Sequence, residues 1–393
     1  MIQKLADLEL HDKTVFLRVD FNVPIDQGKV TEPHRIDGAL PTIRLILARA
    51  KKVVIASHLG RPDGKFVAKY SLAPVREHLE KLLGQPVILA PDCIGKEVER
   101  LVSDPAHRIV LLENLRFHKE EEKNDRQFAQ ALASLGEIYI DDAFGAAHRA
   151  HASIAAMAEF FKLKAAGLLL QKELDYLSPI LADPPKPFVT ILGGAKVSDK
   201  IGVIRNLLPK VSTLLVGGGM AYTFLKSKGM GIGKSLVEQD KITLASDLLK
   251  EAAAHNVPLI LPIDHVTGDM DKKNPNIVDS EIPDERMGLD IGPKTVGQFA
   301  AEIGRAKMVL WNGPVGLFEV PPYDRGSRTL AQTLADNYPQ VISIIAGGDT
   351  VAAVTAAGIA DKITHLSTGG GATLEFLEGR ILPGIKALED NYL

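Results

Sequence analysis

Short apolar runs alternate with stretches of helical period from one end of the chain to the other. In the first half, runs at 14–20, 52–57, 86–90, 108–113 and 137–141 read as strands, and 36–51, 72–83 and 126–135 between them carry apolar residues at helical spacing. Strands alternating with helices predict right-handed βαβ units and a parallel sheet. The runs are apolar on both faces, as a sheet covered on both sides requires. The second half repeats the rhythm, with strands at 187–192, 212–216, 258–263, 308–311, 341–346 and 364–367. Between the halves a long helical pattern from 168 to 181 is stopped by Asp183-Pro184-Pro185-Lys186-Pro187, because proline lacks a donor and disfavours helix in the residue before it. The predicted fold is α/β: two doubly wound parallel-sheet (Rossmann-like) domains joined by a helix, divided at 1–168, 169–185 and 186–376.

Four predicted strands of the first half end in polar and cationic residues. The first breaks at Asp20-Phe21-Asn22, the second at Ser57-His58-Leu59-Gly60-Arg61 and the fourth at Glu113-Asn114-Leu115-Arg116. The fifth breaks at Asp141-Asp142, with His148 and Arg149 just beyond. Ligands of open parallel sheets bind outside the carboxyl ends of the strands. His58, Arg61, Arg116 and Arg149 at such ends predict a concave site for a small, multiply charged anion.

The second half places glycines at the same positions. Gly193-Gly194-Ala195-Lys196 lies between a strand and a helix start, and Gly217-Gly218-Gly219, Gly347-Gly348-Asp349-Thr350 and Gly369-Gly370-Gly371 follow three further strands. Glycine lets backbone amides approach an anion at a helix N-terminus. One pair reads as turn chemistry; four strand ends together predict a nucleotide or phosphate site.

Composition narrows this reading. At 393 residues the chain suits two domains. Its formal net charge of -3, from 46 basic and 49 acidic residues, gives no general attraction to nucleic acid or an anionic membrane, so any anion site must arise from local clustering. No stretch approaches the ~20 apolar residues of a membrane span, and the N-terminus lacks a signal-peptide layout. The single cysteine, Cys93, forms no intramolecular disulfide and reads as a buried free thiol. A soluble, cytoplasmic protein is expected.

Other motifs fall away. Gly229-Met230-Gly231-Ile232-Gly233-Lys234-Ser235 is one residue short of a Walker A loop and follows a helical pattern, so it reads as a loop. Asp269-Met270-Asp271-Lys272-Lys273 has lysine at the third ligand position of a calcium loop and reads as a solvated turn. His148 and His151 lack companions at metal-ligand spacing. A dinucleotide dehydrogenase would want G-x-G-x-x-G after a strand, which residues 217–219 do not supply.

Seven segments resemble the signatures of the phosphoglycerate kinase family. They are Phe16-Leu17-Arg18-Val19-Asp20-Phe21-Asn22-Val23-Pro24, His58-Leu59-Gly60-Arg61-Pro62, Glu113-Asn114-Leu115-Arg116-Phe117 and Ala147-His148-Arg149-Ala150-His151, then Gly193 to Lys200, Trp311-Asn312-Gly313-Pro314-Val315-Gly316 and Gly347-Gly348-Asp349-Thr350. They stand in family order over essentially the whole chain.

The resemblance implies reversible phosphoryl transfer from 1,3-bisphosphoglycerate to ADP, giving 3-phosphoglycerate and ATP, with Mg2+, on a monomer. It implies that Asp20, Asn22, Arg35, His58, Arg61, Arg116 and Arg149 bind the glycerate. Gly194, Lys196, Lys200, Gly288, Asn312, Glu319, Gly347, Gly348, Asp349 and Thr350 would bind the nucleotide, with Asp349 at the metal. Arg35 and Lys196, with the amides around Gly370 and Gly371, are the catalytic candidates. The segment 377–393 is expected to return to the first domain. Two substrates on two domains also imply hinge closure, since reacting atoms must come within ~3.5 Å.

The chemistry agrees with the residue types. The attacking carboxylate of 3-phosphoglycerate is ionised at neutral pH, with a pKa near ~4, so no general base is needed. Positioning and neutralisation of the transferring group are needed, and cations supply them.

Overall fold

A computed structural model describes residues 2–389 and divides into two compact units. One runs to Asp175 and takes up again at Ile381; the other is Tyr176–Arg380. The division therefore falls inside the helix Leu168–Ala182. Of the expected returning segment 377–393, residues 390–393 lie outside the described residues. Within the first unit, Gly384 N of the last helix, Pro383–Glu389, donates to Ala147 O at 2.9 Å.

The first unit contains β1 (Thr14–Arg18), a hairpin of β2 (Ile25–Asp26) and β3 (Lys29–Val30), then β4 (Lys52–Ala56), β5 (Ile88–Leu89), β6 (Ile109–Leu111), β7 (Ile138–Asp141) and β8 (Lys164–Ala166). Its six-stranded sheet has the order β5-β6-β4-β1-β7-β8, and every pairing is parallel. β1 lies between β4 and β7, with Val15 opposite both Val53 and Ile138. From β1 the chain builds outward in both directions, so the β1/β7 boundary is the switch point where a ligand crevice opens. Val15, Leu17, Val53, Ile55 and Ile140 are all fully buried in one apolar cluster with Ile43 and Ile46 of the helix His34–Arg49. That helix begins earlier than the predicted 36, which sets Arg35 in its first turn.

The second unit contains β9 (Phe188–Leu192), β10 (Thr213–Val216), β11 (Leu259–Ile260), β12 (Asp264–Gly268), β13 (Asn276–Asp279), β14 (Met287–Ile291), β15 (Met308–Asn312), β16 (Ile342–Ala346) and β17 (His365–Leu366). Its parallel sheet has the order β11-β10-β9-β15-β16-β17, which counts as 3-2-1-4-5-6 along the chain and puts the switch point between β9 and β15. Trp311 of β15 is fully buried beside Ile191, Ile345, Phe299 and Leu334. Its indole Nε1 donates to Gly313 O at 2.7 Å, drawing in the turn that follows the strand.

The sequence pattern misses one element in this unit, an antiparallel three-stranded sheet ordered β13-β12-β14. β12 buries Asp264, His265 and Thr267, so its inward positions are polar and no apolar alternation marks it. Asp264 accepts from Lys294 N and Thr295 N at 2.8 Å each, holding the start of the helix Pro293–Arg305. β8 was missed for a similar reason: it is short and opens with the buried Lys164. No helix of the described residues is long and apolar enough to cross a membrane.

Candidate active site

In the first unit the ends of β1, β4 and β6 converge on a cationic cluster. Beyond β1, Asp20 Oδ2 accepts from Arg35 Nη1 at 2.8 Å and Oδ1 accepts from Asn22 N at 3.1 Å. Beyond β4, His58 is buried; its Nδ1 lies 3.3 Å from Arg18 Nη2 and its Nε2 lies 3.9 Å from Asp20 Oδ1. Beyond β6, Asn114 accepts from Leu59 N and Arg116 N at 3.1 Å each and donates to Leu59 O at 2.7 Å. The two bonds to Leu59 hold the strand ends together, and the third fixes the turn that carries Arg116. Asn22 Oδ1 adds a fourth tie by accepting from Gly60 N at 2.9 Å.

Arg18, the last residue of β1, is fully buried beneath this floor. Its Nε donates to Ser153 Oγ at 2.8 Å, and Ser153 Oγ donates in turn to the buried Glu121 at 2.6 Å. Arg116 is buried as well, with Nη1 donating to Gly60 O at 2.8 Å. Its Nε has no hydrogen-bond partner among the described residues, and Glu122 Oε1 stands 3.5 Å away. The guanidinium carries more N–H groups than these two partners take up, and so has donors to offer an anion.

The cations are felt in the titration of their neighbours. Burial first, then Arg18, Arg116, Arg149 and Arg35, holds His58 well below the usual imidazole range. His151 is driven down to about 3 by burial, Arg116, Arg18 and Arg149. Arg116 itself is lowered to about 10, by burial and then Arg149, and so keeps its charge at neutral pH. Four arginine charges gathered around one crevice suit a polyanion.

The predicted glycerate-side residues thus largely meet. Asp20, Asn22, Arg35, His58 and Arg116 are linked through direct contacts, and Arg149 acts on them through its charge. Arg61 is exposed and is not drawn into this network. Sequence reading gave Arg18 no role, and missed Ser153 and Glu121 altogether. Arg18 could have been noticed as a charge inside an apolar strand; nothing local marks the other two.

In the second unit, loops at the ends of β9, β10, β14 and β15 enclose a cavity of about 340 Å³. Its walls include Gly194, Gly218, Gly288, Glu319 and Asp349, with an apolar side formed by Tyr222, Leu236, Leu289, Leu317 and Phe318. Backbone bonds interlock the loops: Gly194 N donates to Pro314 O at 2.9 Å, Gly218 N to Val315 O at 2.9 Å and Met220 N to Gly194 O at 3.0 Å. Gly288 N donates to Ser235 Oγ at 2.8 Å, and a side chain at Gly288 would collide with Tyr222.

The other predicted nucleotide-side residues sit around rather than in this cavity. Lys200 Nζ donates to Asn312 Oδ1, while Asn312 Nδ2 donates to Ala346 O at 2.8 Å. Burial lowers the Lys200 ammonium, and Asp199, Asp349 and Glu378 counter it. Thr350 is buried and accepts from Gly313 N at 2.7 Å, so it braces the β15 turn. Gly347, at φ +89, precedes the helix Gly348–Ala356, whose first turn carries Asp349. Gly370, at φ +53, turns the chain into Gly371–Leu377. Lys196 is exposed on the loop beyond β9. The apolar wall was not read from the sequence, because its side chains come from segments far apart in the chain.

Comparison with known proteins identifies the family. A family model described as phosphoglycerate kinase matches residues 5–380. A phosphoglycerate kinase of Anaeromyxobacter dehalogenans is 54% identical over 396 residues, spanning 99% of this chain and 100% of the relative. A Triticum aestivum protein named "Phosphoglycerate kinase, cytosolic" is 50% identical over 392 residues, 98% of each chain. Among solved structures, phosphoglycerate kinase from Coxiella burnetii matches with a TM-score of 0.90 at 41% identity, over 99% of each chain. The enzyme from Pyrococcus horikoshii matches at 0.85 and 31%, over 100% of this chain and 99% of that one. Over its full length, and with a cationic crevice in one unit and a glycine-walled cavity in the other, the chain belongs to the phosphoglycerate kinase family.

Proposed function

We propose that the first unit grips the glycerate substrate and the second the nucleotide in a phosphotransferase reaction with a carboxyl group as acceptor. The reaction is that of the family: 1,3-bisphosphoglycerate and ADP exchange a phosphoryl group to give 3-phosphoglycerate and ATP, a step of glycolysis. Asp20, Asn22, Arg35, His58, Arg61, Arg116 and Arg149 take the anionic glycerate. The observation that carries this reading is the convergence of Arg35, His58 and the buried Arg116 at neighbouring strand ends, with Arg149 and Arg18 acting on Arg116 through their charge.

On the nucleotide side, the slot between Leu236, Leu289, Leu317 and Phe318 suits an apolar base, while Glu319 offers a carboxylate acceptor for ribose hydroxyls. The turn and helix start at Gly347 and Gly348 face phosphate, supported by Lys200 and Asn312 nearby. Asp349 shares the cavity wall and fits a Mg2+ that keeps most of its ligands as water and phosphate oxygens. Such an ion would neutralise phosphate charge; the residues of the chain do the positioning.

No side chain has to take a proton in the ATP-consuming direction, because the nucleophile is already a carboxylate. Arg35 and Lys196, with the amides of Gly370 and Gly371, stabilise equatorial charge on the transferring group. Both substrates are small molecules, and in this reading each chain acts alone as a monomer carrying both sites. The cytosolic wheat relative supports a cytoplasmic enzyme.

The test is ADP release from MgATP with and without 3-phosphoglycerate, the acyl phosphate being removed by a coupled dehydrogenase. Strict dependence on 3-phosphoglycerate is the expected result. ATP bound without turnover would reduce the chain to a nucleotide-binding scaffold.

A further inference from the structure

Just beyond the β6 end that carries Arg116, three side chains of the first unit converge for which the kinase reaction has no use. Asp92, Cys93 and His118 each offer one ligand atom, and the three atoms lie within 4.8 Å of one another. Cys93 is fully buried, whereas the side chains of Asp92 and His118 are 47% and 25% exposed. A thiol therefore forms the base of the group and a carboxylate and an imidazole form its rim. We propose that Asp92, Cys93 and His118 bind a thiophilic divalent cation of the zinc class.

The ligand set favours this over magnesium. Sulfur and imidazole select zinc-class ions, and Mg2+ demands oxygen ligands, so the site would not compete for the ion that accompanies ATP. Zinc–sulfur and zinc–nitrogen bonds of ~2.3 and ~2.0 Å place tetrahedral ligands a little under ~4 Å apart. The group needs only a small adjustment to reach that geometry. His118 Nε2 and Asp92 Oδ1 now stand 2.6 Å apart and would open around the ion. A water from the exposed side completes the fourth position.

The His118 ring stacks on Phe128 with centroids 5.0 Å apart, which fixes its plane. At present Cys93 Sγ donates to Glu113 O at 3.0 Å. On binding, the S–H bond is exchanged for a metal–sulfur bond and its proton leaves to solvent. His118 coordinates through Nε2 as the neutral imidazole, its ring proton then standing on Nδ1.

The experiment is a titration of the full chain with cobalt(II) chloride, followed by displacement with zinc chloride. One equivalent should produce a sulfur-to-cobalt charge-transfer band and intense visible bands of tetrahedral cobalt, which zinc then abolishes. Cys93→Ser should remove the charge-transfer band. Asp92→Asn and His118→Ala alter only the partly exposed rim, and should each weaken binding at least ~10-fold. No charge-transfer band in the unaltered chain would overturn the proposal, and so would a band whose affinity His118→Ala leaves unchanged.

Discussion

Arg18 Nη2 lies 3.3 Å from His58 Nδ1 in the buried floor of the first unit. A guanidinium only donates, so His58 Nδ1 holds a lone pair and the ring proton sits on Nε2, on the side of Asp20 Oδ1 at 3.9 Å. A second proton would face Arg18 directly. His58 is therefore neutral while it is folded, and its pKa is held well below the ordinary value by burial and four arginines.

Stability should fall as pH is lowered through this region. In the unfolded chain His58 binds a proton near the ordinary ~6.5, whereas in the folded chain it does not until far lower. Below ~6.5 the unfolded state holds more protons, so acid favours it, by at most ~1.4 kcal/mol per pH unit for one group. His151, lowered to about 3, acts in the same sense. Urea unfolding of the wild type and of His58→Gln, at pH ~7 and ~5.5, should show the variant losing less stability on acidification. Parallel losses would mean that native His58 carries a proton.

Ser153→Ala should cost about 1–3 kcal/mol, the penalty for stranding buried polar groups. Ser153 Oγ accepts from Arg18 Nε at 2.8 Å and donates to Glu121 Oε1 at 2.6 Å, and its backbone N donates to Glu121 Oε2 at 2.9 Å. Removing the hydroxyl leaves Arg18 and Glu121 each short of a bond. Because Arg18 orients His58, the KM for 3-phosphoglycerate should rise along with the loss in melting temperature. A less stable variant with an unchanged KM would confine the serine to structure.

How much of this was legible in the sequence depends on distance along the chain. Asp20, His58 and Arg116 were visible because each lies within four residues of the end of an apolar run, and the strand order β6-β4-β1 then places those ends side by side. Ser153 and Glu121 were not, since their importance arises only when a loop folds beneath β1. β12 escaped because Asp264 and Thr267 are buried for hydrogen bonding rather than for apolar contact. The slot lined by Leu236, Leu289 and Phe318 joins residues separated by tens of positions, and each alone looks like ordinary core or surface.

Lys196→Ala and Arg35→Ala should each lower kcat at least ~10²-fold, with smaller changes in substrate affinity. The two differ in their structural cost. Lys196 is exposed, so its variant should keep wild-type stability within ~0.5 kcal/mol. Arg35 donates to Asp20 at 2.8 Å and its removal frees that carboxylate to repel the substrate, so KM for 3-phosphoglycerate should also rise. Steady-state kinetics decide the matter: turnover within threefold of wild type would remove that residue from the charge-stabilising role.

Gly218→Ala should separate the two sites. Gly218 has φ +66, a conformation costly for any side chain, and an added Cβ would stand 2.7 Å from Gly194 N and O and 2.8 Å from Pro314 O. Those atoms are backbone and belong to the bonds that lock the β9, β10 and β15 turns, Gly194 N to Pro314 O and Met220 N to Gly194 O. Neither turn can yield without moving the cavity wall that Gly194 and Gly219 form. Overpacking of this kind costs about 1–3 kcal/mol, which corresponds to a loss of ADP affinity of roughly 10-fold or more. Calorimetric titration should show that loss while 3-phosphoglycerate, held by Arg116 and His58 in the other unit, binds as before. Unchanged ADP affinity would place the nucleotide elsewhere than between these turns, and a parallel loss of both ligands would point to general unfolding instead.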